Sequence, residues 1–390
     1  WVPELGEYYL HQFSVKQPDL NWENPKVREK IYEMIRWWME KGVGGFRLDV
    51  IDLIGKETDR MVMAEGKMLH PYIQEMSRET FQKGDLVTVG EAWSATPASA
   101  MLYSNPDGSE LSMVFQFEHM LLDQEPGKQK WDLRSLPFVE FKKVLFKWQS
   151  SLYQKGWNSL FFSNHDLPRS VSHFGNDGQY RVESAKMLAT ILHGLQGTPY
   201  VYQGEELGMT NVQFGIEDYR DIEILNMYKE RVEQGYAEES IMESIYAKGR
   251  DNARTPMQWD DGNNAGFTQG SPWLRLNPNY TEINAKQALA DPDSVFYYYQ
   301  KLIRLRKEEP VLTEGKTVPI MEADEKVFAY IRESEEADLL VLGNFTEETA
   351  AYQAPDAFRG QETLISNYAD EGEFGLLRPF EAKMVIVRKR

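Results

Sequence analysis

The chain contains no cysteine, which removes disulfides, zinc–thiolate sites and thiol nucleophiles from consideration and fits a reducing compartment. Histidine is scarce: of six residues, His119, His173 and His193 stand at no metal-ligand spacing, so neither zinc nor a metal cofactor is expected. No apolar run approaches the roughly 18 residues needed to cross a bilayer, and the opening residues lack the make-up of a signal segment. The expectation is a soluble, cytoplasmic protein with no membrane partner. Positive charge is also short: 43 Lys and Arg against 61 Asp and Glu leave a net charge of −18. No Lys/Arg block of the kind that binds nucleic acid appears, so nucleic acid is not an expected partner.

What is present is ample material for a core, with 42% hydrophobic residues in a chain of 390, longer than one typical domain. Aromatic residues reach 13%, with 10 Trp, a share that suits either a large core or sugar rings stacked on aromatic faces. Strand-like and helix-like patterns alternate, the mark of a parallel α/β architecture. Val27, Ile31, Met34, Ile35 and Trp38 recur at helical spacing within 24–41, opened by Asn24-Pro25 and stopped by Gly42. A strand is predicted over 44–50, a helix near 71–83, then strands 85–91 and 112–117, a helix near 136–154 and a strand over 158–163. A helix near 183–195, a strand over 199–203 and a helix near 293–308 close the unit. Between them, 205–290 is too polar and too rich in Gly and Asn to be a simple loop. From about 316, short alternating strands such as 327–332, 339–345 and 384–388 predict a small antiparallel sandwich.

Three carboxylates, Asp49, Glu91 and Asp166, each close one of the predicted strands. Acids at the C-terminal ends of different parallel strands sit where barrel enzymes keep their chemistry. Glycosidic-bond cleavage needs carboxyl groups in different protonation states on either side of one bond. Alternation within 44–50 predicts Arg47 and Asp49 on one strand face, with Phe46, Leu48 and Val50 on the other. An Arg beside Asp49 would hold that carboxylate ionised, as a nucleophile requires. Glu205 and Glu206, at the end of a further strand, are expected to make structural hydrogen bonds.

The runs Gly45-Phe46-Arg47-Leu48-Asp49-Val50, Val89-Gly90-Glu91-Ala92-Trp93 and Ser163-Asn164-His165-Asp166 resemble three signature regions of the α-amylase family of retaining glycosidases, glycoside hydrolase family 13. Residues 17–21, 197–206 and 250–259 extend the resemblance over essentially the whole chain. The first of these points to the oligo-1,6-glucosidase subgroup, and residues 110–119 and 218–223 are most similar to glucan 1,6-α-glucosidases (dextran glucosidases). The resemblance implies a TIM (β/α)8 barrel, of which the C-terminal five strands are present, followed by a small all-β sandwich. It implies the end of an inserted domain at 1–22, the barrel over 23–312 with the long insertion at 205–290, and the sandwich over 313–390.

By position, the resemblance implies Asp49 as nucleophile, Glu91 as general acid and base, and Asp166 as the residue that binds sugar hydroxyls and stabilises the transition state. Arg47 would hold Asp49, His165 would donate to a sugar hydroxyl, and Arg254 would contact the glucosyl unit or Asp166. Val50 would favour α-1,6 over α-1,4 linkages, and Trp93 would support the leaving sugar.

The implied activity is removal of terminal α-1,6-linked glucose from isomalto-oligosaccharides or dextran, with an α-glucan oligosaccharide as the partner. Trehalose-6-phosphate hydrolase, sucrose isomerase or transglucosylase, and an inactive sugar-binding or transporter-partner subunit are the alternatives. The chain begins in mid-pattern with Trp1, and three strands expected before 44–50 are absent. It therefore reads as a fragment, inactive or loosely folded alone and completed by the missing N-terminal segment or a complementing chain. A structural calcium would belong to that segment, and no other cofactor is expected.

Overall fold

The computed structural model describes residues 1–370 and 372–389. The chain divides into two compact units, Trp1–Phe117 with Ser151–Asn158, and Glu118–Ser150 with Ser159–Arg390.

In the first unit the Asn24 side chain caps helix α1 (Pro25–Glu40) by accepting from Lys26 N at 3.0 Å, and Pro25 lies within the first turn. Strands β1 (Gly45–Leu48), β2 (Val87–Glu91) and β3 (Met113–Phe115) form a parallel sheet in that order, with Arg47 opposite Val89 and Glu91 opposite Phe115. A side chain at Gly45 would meet the carbonyl oxygen of Val87 at 2.1 Å, so only glycine lets β1 approach β2 there. Helix α2 (Leu69–Glu79) joins β1 to β2 and buries Leu69, Tyr72, Ile73 and Met76, the helical repeat of its apolar residues. Helix α3 (Pro97–Tyr103) follows β2, opened by a reciprocal capping box between Thr96 and Ser99. A parallel bridge pairs Val114 with Asn158.

In the second unit helix α4 (Phe138–Leu152) precedes strand β4 (Ser159–Leu160), which pairs in parallel with β5 (Thr198–Pro199). Helices α5 (Ser170–Phe174) and α6 (Arg181–Gly194) lie between the two strands in sequence. The stretch after β5 contains α7 (Ile222–Glu233), α8 (Glu238–Lys248), the single turn α9 (Asp251–Arg254) and α10 (Ala285–Ala290), before α11 (Val295–Glu308) and a short α12 (Val311–Glu314). Val212, Phe214, Tyr219, Ile224, Met227, Ile241 and Ile245 of this excursion form one apolar cluster with Trp131, which explains how a polar, Gly-rich segment holds a defined shape.

The C-terminal strands are β6 (Lys316–Ile320), β7 (Val327–Glu333), β8 (Ala337–Asn344), β9 (Ala350–Ala351), β10 (Glu362–Ser366), β11 (Leu376–Leu377) and β12 (Ala382–Arg388). They form an antiparallel five-stranded sheet ordered β10-β12-β8-β7-β6 and a two-stranded sheet of β11 and β9. Residues of both sheets, including Val327, Leu340, Ala350, Leu377 and Val385, share one core, as a sandwich requires.

All five strands predicted before the C-terminal tail are longer than those observed, 85–91 and 112–117 shortening at their ends to Val87–Glu91 and Met113–Phe115. The run over 44–50 ends at Leu48 because Val50 adopts a left-handed conformation, φ 38° and ψ 47°. Alternation therefore stops, and Val50 does not share the strand face of Phe46 and Leu48. The run over 199–203 stops at Pro199, which has no N–H for the ladder, and the run over 158–163 shortens to Ser159–Leu160 beside it. Among the described residues no helix is long and apolar enough to cross a membrane.

Candidate active site

In the first unit the site is built where β1 and β2 end. Asp49 is one residue beyond β1, and Glu91 is the last residue of β2. The Arg47 guanidinium forks between them, paired with Asp49 on one side and with Glu91 Oε2 at 2.8 Å on the other. The left-handed turn at Val50 aims its backbone N–H at Glu91 Oε2, 3.3 Å away. Left-handed backbone is costly for a β-branched residue, so the turn is held by its surroundings. Asp52, buried in the next turn, accepts from Ser94 N at 2.9 Å and so ties the loop after β1 to the loop after β2.

The two acids of this cluster sit in opposite environments. Asp49 is 71% exposed, whereas Glu91 is 3% exposed. Burial pushes the Glu91 carboxyl above the usual range and a hydrogen bond with Asp49 adds to the rise, against the opposing pull of Arg47, Trp93 and the Val50 amide. Trp93 Nε1 donates to Glu91 Oε1 at 3.1 Å. One face of the indole is stacked on Phe117, with centroids 3.7 Å apart and planes 7° apart, yet the residue keeps 40% of its surface exposed. Trp93 thus combines an anchored ring with an open side, the form of an aromatic platform.

In the second unit the turn after β4 carries Asp166 and His165. Asn164 Oδ1 accepts from Asp166 N at 2.8 Å, and His165 Nε2 stands 3.2 Å from Asp166 Oδ2. Arg254, at the end of α9, pairs with Asp166 Oδ1 and donates to the His165 carbonyl at 2.8 Å, clamping side chain and backbone of the same turn. Arg250 extends the network: its guanidinium lies 3.8 Å from Asp166, binds Asp221 at 2.6 and 2.8 Å, and stands 3.2 Å from Glu223. Asp221 is buried, which alone would raise its pKa, but the Arg250 pair outweighs burial and lowers it. Glu205 accepts from Ser163 Oγ at 2.6 Å and Tyr202 N at 3.0 Å, and Glu206 accepts from Gly204 N at 2.7 Å. Burial pushes Glu205 up to about 7, although its hydrogen bonds oppose the rise.

The residues singled out from sequence thus fall into two clusters, Arg47, Asp49, Val50, Glu91 and Trp93 in one unit, and His165, Asp166 and Arg254 in the other. Asp52, Arg250 and Asp221 were not singled out. Arg250 had a visible signal, four residues before Arg254 in the same motif, while Asp52 had none, because its partner Ser94 is 42 residues away. The three scattered histidines bind separate partners: His119 and His193 contact the carbonyls of Phe161 and Ala189, each at 2.9 Å, and His173 contacts Asp123 at 2.8 Å. Among the described residues no group of three or more His, Asp or Glu is placed to hold a metal ion.

The family model described as the catalytic domain of alpha amylase matches residues 1–315. The chain is 54% identical to an oligo-1,6-glucosidase of Parageobacillus thermoglucosidasius, over 98% of this chain and 72% of that protein. It is 55% identical to a glucan 1,6-alpha-glucosidase of Streptococcus pneumoniae, over 88% of this chain and 64% of that protein. The crystal structure of Bacillus licheniformis trehalose-6-phosphate hydrolase superposes with a TM-score of 0.94 at 47% identity, covering 99% of this chain and 73% of that one. With half-identical relatives along nearly its whole length, parallel strand–helix alternation and a C-terminal antiparallel sheet, the chain belongs to the α-amylase family, glycoside hydrolase family 13.

Proposed function

We propose that this protein is a retaining α-glucosidase that releases glucose from the non-reducing, α-1,6-linked ends of isomalto-oligosaccharides or dextran, working in the cytoplasm. The observation that carries the reading is the pairing, on a single guanidinium, of exposed Asp49 with buried Glu91, whose carboxyl is raised above its usual range. A nucleophile must be ionised and accessible, and a general acid must keep its proton near neutrality. Glu91 protonates the glycosidic oxygen as a carboxylate oxygen of Asp49 bonds to the anomeric carbon, and the leaving sugar departs with that proton. Glu91, now ionised, takes a proton from water, whose oxygen displaces Asp49 and restores both groups with the original configuration. Arg47, paired with both carboxylates, stabilises the charge as it passes from Asp49 to Glu91 and back. Asp166, clamped by Arg254, has the role of accepting from sugar hydroxyls, with His165 as donor beside it.

Linkage preference rests on the 54% and 55% identities to enzymes named for 1,6-linkages. A second reading, hydrolysis of trehalose 6-phosphate, is favoured by the superposition on that hydrolase. Turnover of isomaltose, panose, maltose, trehalose 6-phosphate and sucrose by the complete protein separates the readings. Isomaltose and panose ahead of the others, with α-glucose as first product by NMR, is the expected result. Trehalose 6-phosphate as the preferred substrate would replace the first reading by the second.

A further inference from the structure

Asp166 is held by Arg254, and Arg254 in turn sits on α9, a single turn too short to keep its own shape. The start of that turn is anchored by its own side chains. Asp251 Oδ2 accepts from Arg220 N and Asp221 N at 2.7 and 2.9 Å, and Asn252 Oδ1 accepts from Val212 N at 3.0 Å. Its end has different anchors. The Ala253 carbonyl accepts from the Tyr202 hydroxyl at 2.9 Å and from Arg169 Nη2 at 3.2 Å. That carbonyl belongs to the planar peptide unit that ends at the Arg254 Cα, so whatever fixes it fixes the origin of the Arg254 side chain.

Arg169 reaches this peptide from the segment that carries the acid itself, three residues after Asp166. Its side chain is buried, and its fork donates to main-chain carbonyls on two segments: Asn252 and Ala253 of α9, each at 3.2 Å, and Gln203 after β5. A weaker contact, 3.5 Å long, joins it to the Thr255 hydroxyl. Among the described residues no carboxylate lies within ion-pair distance of Arg169, while Glu205, Glu206 and Tyr202 favour its charge from further off. Its donors therefore go to backbone. A planar guanidinium can bridge carbonyls of two segments in one fixed geometry, which the compact ammonium of a lysine cannot. Gly204 leaves the room for it, because a Cβ there would lie 2.7 Å from Arg169 Nη1.

We infer that Arg169 is a positioning residue for the glycosidase reaction: with Tyr202 it sets the Ala253–Arg254 peptide, and through Arg254 it sets how the Asp166 carboxylate meets the glucosyl unit. A shift of the Arg254 backbone passes directly to Asp166, because the Arg254 guanidinium holds both the Asp166 side chain and the His165 carbonyl. A carboxylate that must meet sugar hydroxyls at the transition state tolerates little misplacement. The inference rests on the role proposed above for Asp166.

Turnover of p-nitrophenyl α-glucoside by the complete protein tests it, since a good leaving group relieves the demand on Glu91 and keeps weak variants measurable. Arg169→Lys should lower kcat/KM at least about tenfold. In an Arg254→Ala background the same substitution should cost less than about twofold, because the link through which it acts is already cut. A purely structural role would lower the melting temperature and cost the same activity in both backgrounds. Tyr202→Phe removes one hydroxyl, keeps the ring and runs the same cycle, with a loss of at least about threefold expected in the parent alone. It is the deciding variant if Arg169→Lys shows no cooperative melt. Equal losses in both backgrounds, or parental kcat/KM in the deciding variant, overturn the inference. Asp166→Asn separates it from the reading beneath: parental turnover there overturns the role of Asp166 itself. An inactive Asp166→Asn beside additive losses for Arg169 and Arg254 overturns the positioning alone.

Discussion

Glu91 shows how one residue type acquires different chemistry from its place. Its 3% exposure and its hydrogen bond with Asp49 push its carboxyl above the usual range, while Asp49, two residues after Arg47 and just beyond β1, remains open to solvent. Glu91→Gln and Asp49→Asn should each lower isomaltose turnover by at least about 10²-fold with the thermal melt retained. Either variant keeping a tenth of parental turnover would defeat the assignment. Val50 bears on specificity, because it follows Asp49 and its left-handed backbone presents an N–H to Glu91. Val50→Thr adds a hydroxyl beside the acceptor sugar and should narrow the ratio of isomaltose to maltose hydrolysis by about tenfold or more, within the roughly 1–3 kcal/mol that such pocket changes carry. An unchanged ratio of kcat/KM values would remove Val50 from the specificity argument.

Among the elements, the C-terminal end of α6 depends most on its neighbours. The last carbonyls of a helix lack partners within it. Here Tyr330 donates to the Ile191 carbonyl at 2.7 Å, Arg332 to Gly194 at 2.6 Å and Arg306 to Leu195 at 3.0 Å. Arg332 is fully buried and also binds the carbonyls of Leu312 and Gly315, so one side chain of β7 joins a helix end to the sandwich. Arg332→Leu should cost about 3 kcal/mol or more, since it strands several buried carbonyls, and would appear as a lower urea midpoint. Asn24→Ala, which removes only the cap of α1, should cost about 1 kcal/mol by the same measurement. A smaller loss for Arg332→Leu than for Asn24→Ala would refute the latch.

For the molecule as a whole, buried titratable groups set the pH range of stability. Burial lowers His119 and His193 from 6.5 to about 4, so each contributes stability that is present above about 6.5 and lost as pH falls through about 4. Burial raises Glu205 from 4.5 to about 7, so the folded state binds its proton more tightly, and that contribution is lost as pH rises through about 7. Each displacement corresponds to roughly 3 kcal/mol at its far side. Stability should therefore be greatest near neutrality and decline in both directions. Glu205→Gln should remove the loss that Glu205 brings between about pH 4.5 and 7 while leaving in place the acid limb set by the histidines. A melting temperature for this variant that fell with pH as steeply as the parent's would exclude Glu205 as its cause.

Local pattern alone determined the helix at 25–40, the alternation of parallel strands and helices, and the antiparallel tail, because apolar spacing, capping residues and Gly or Pro stops act within a few residues of one another. The sequence motifs also pointed to Asp49, Glu91 and Asp166. They did not determine that Val50 leaves the strand, that Asp52 bridges two loops, or that Arg250 and Asp221 extend the network of Asp166. Those depend on partners tens of residues away and on backbone geometry that alternation does not encode. Acidity was likewise a tertiary decision: Asp49 and Glu91 are similar acids in the sequence, and only burial, with the hydrogen bond between them, raises the Glu91 carboxyl above its usual range.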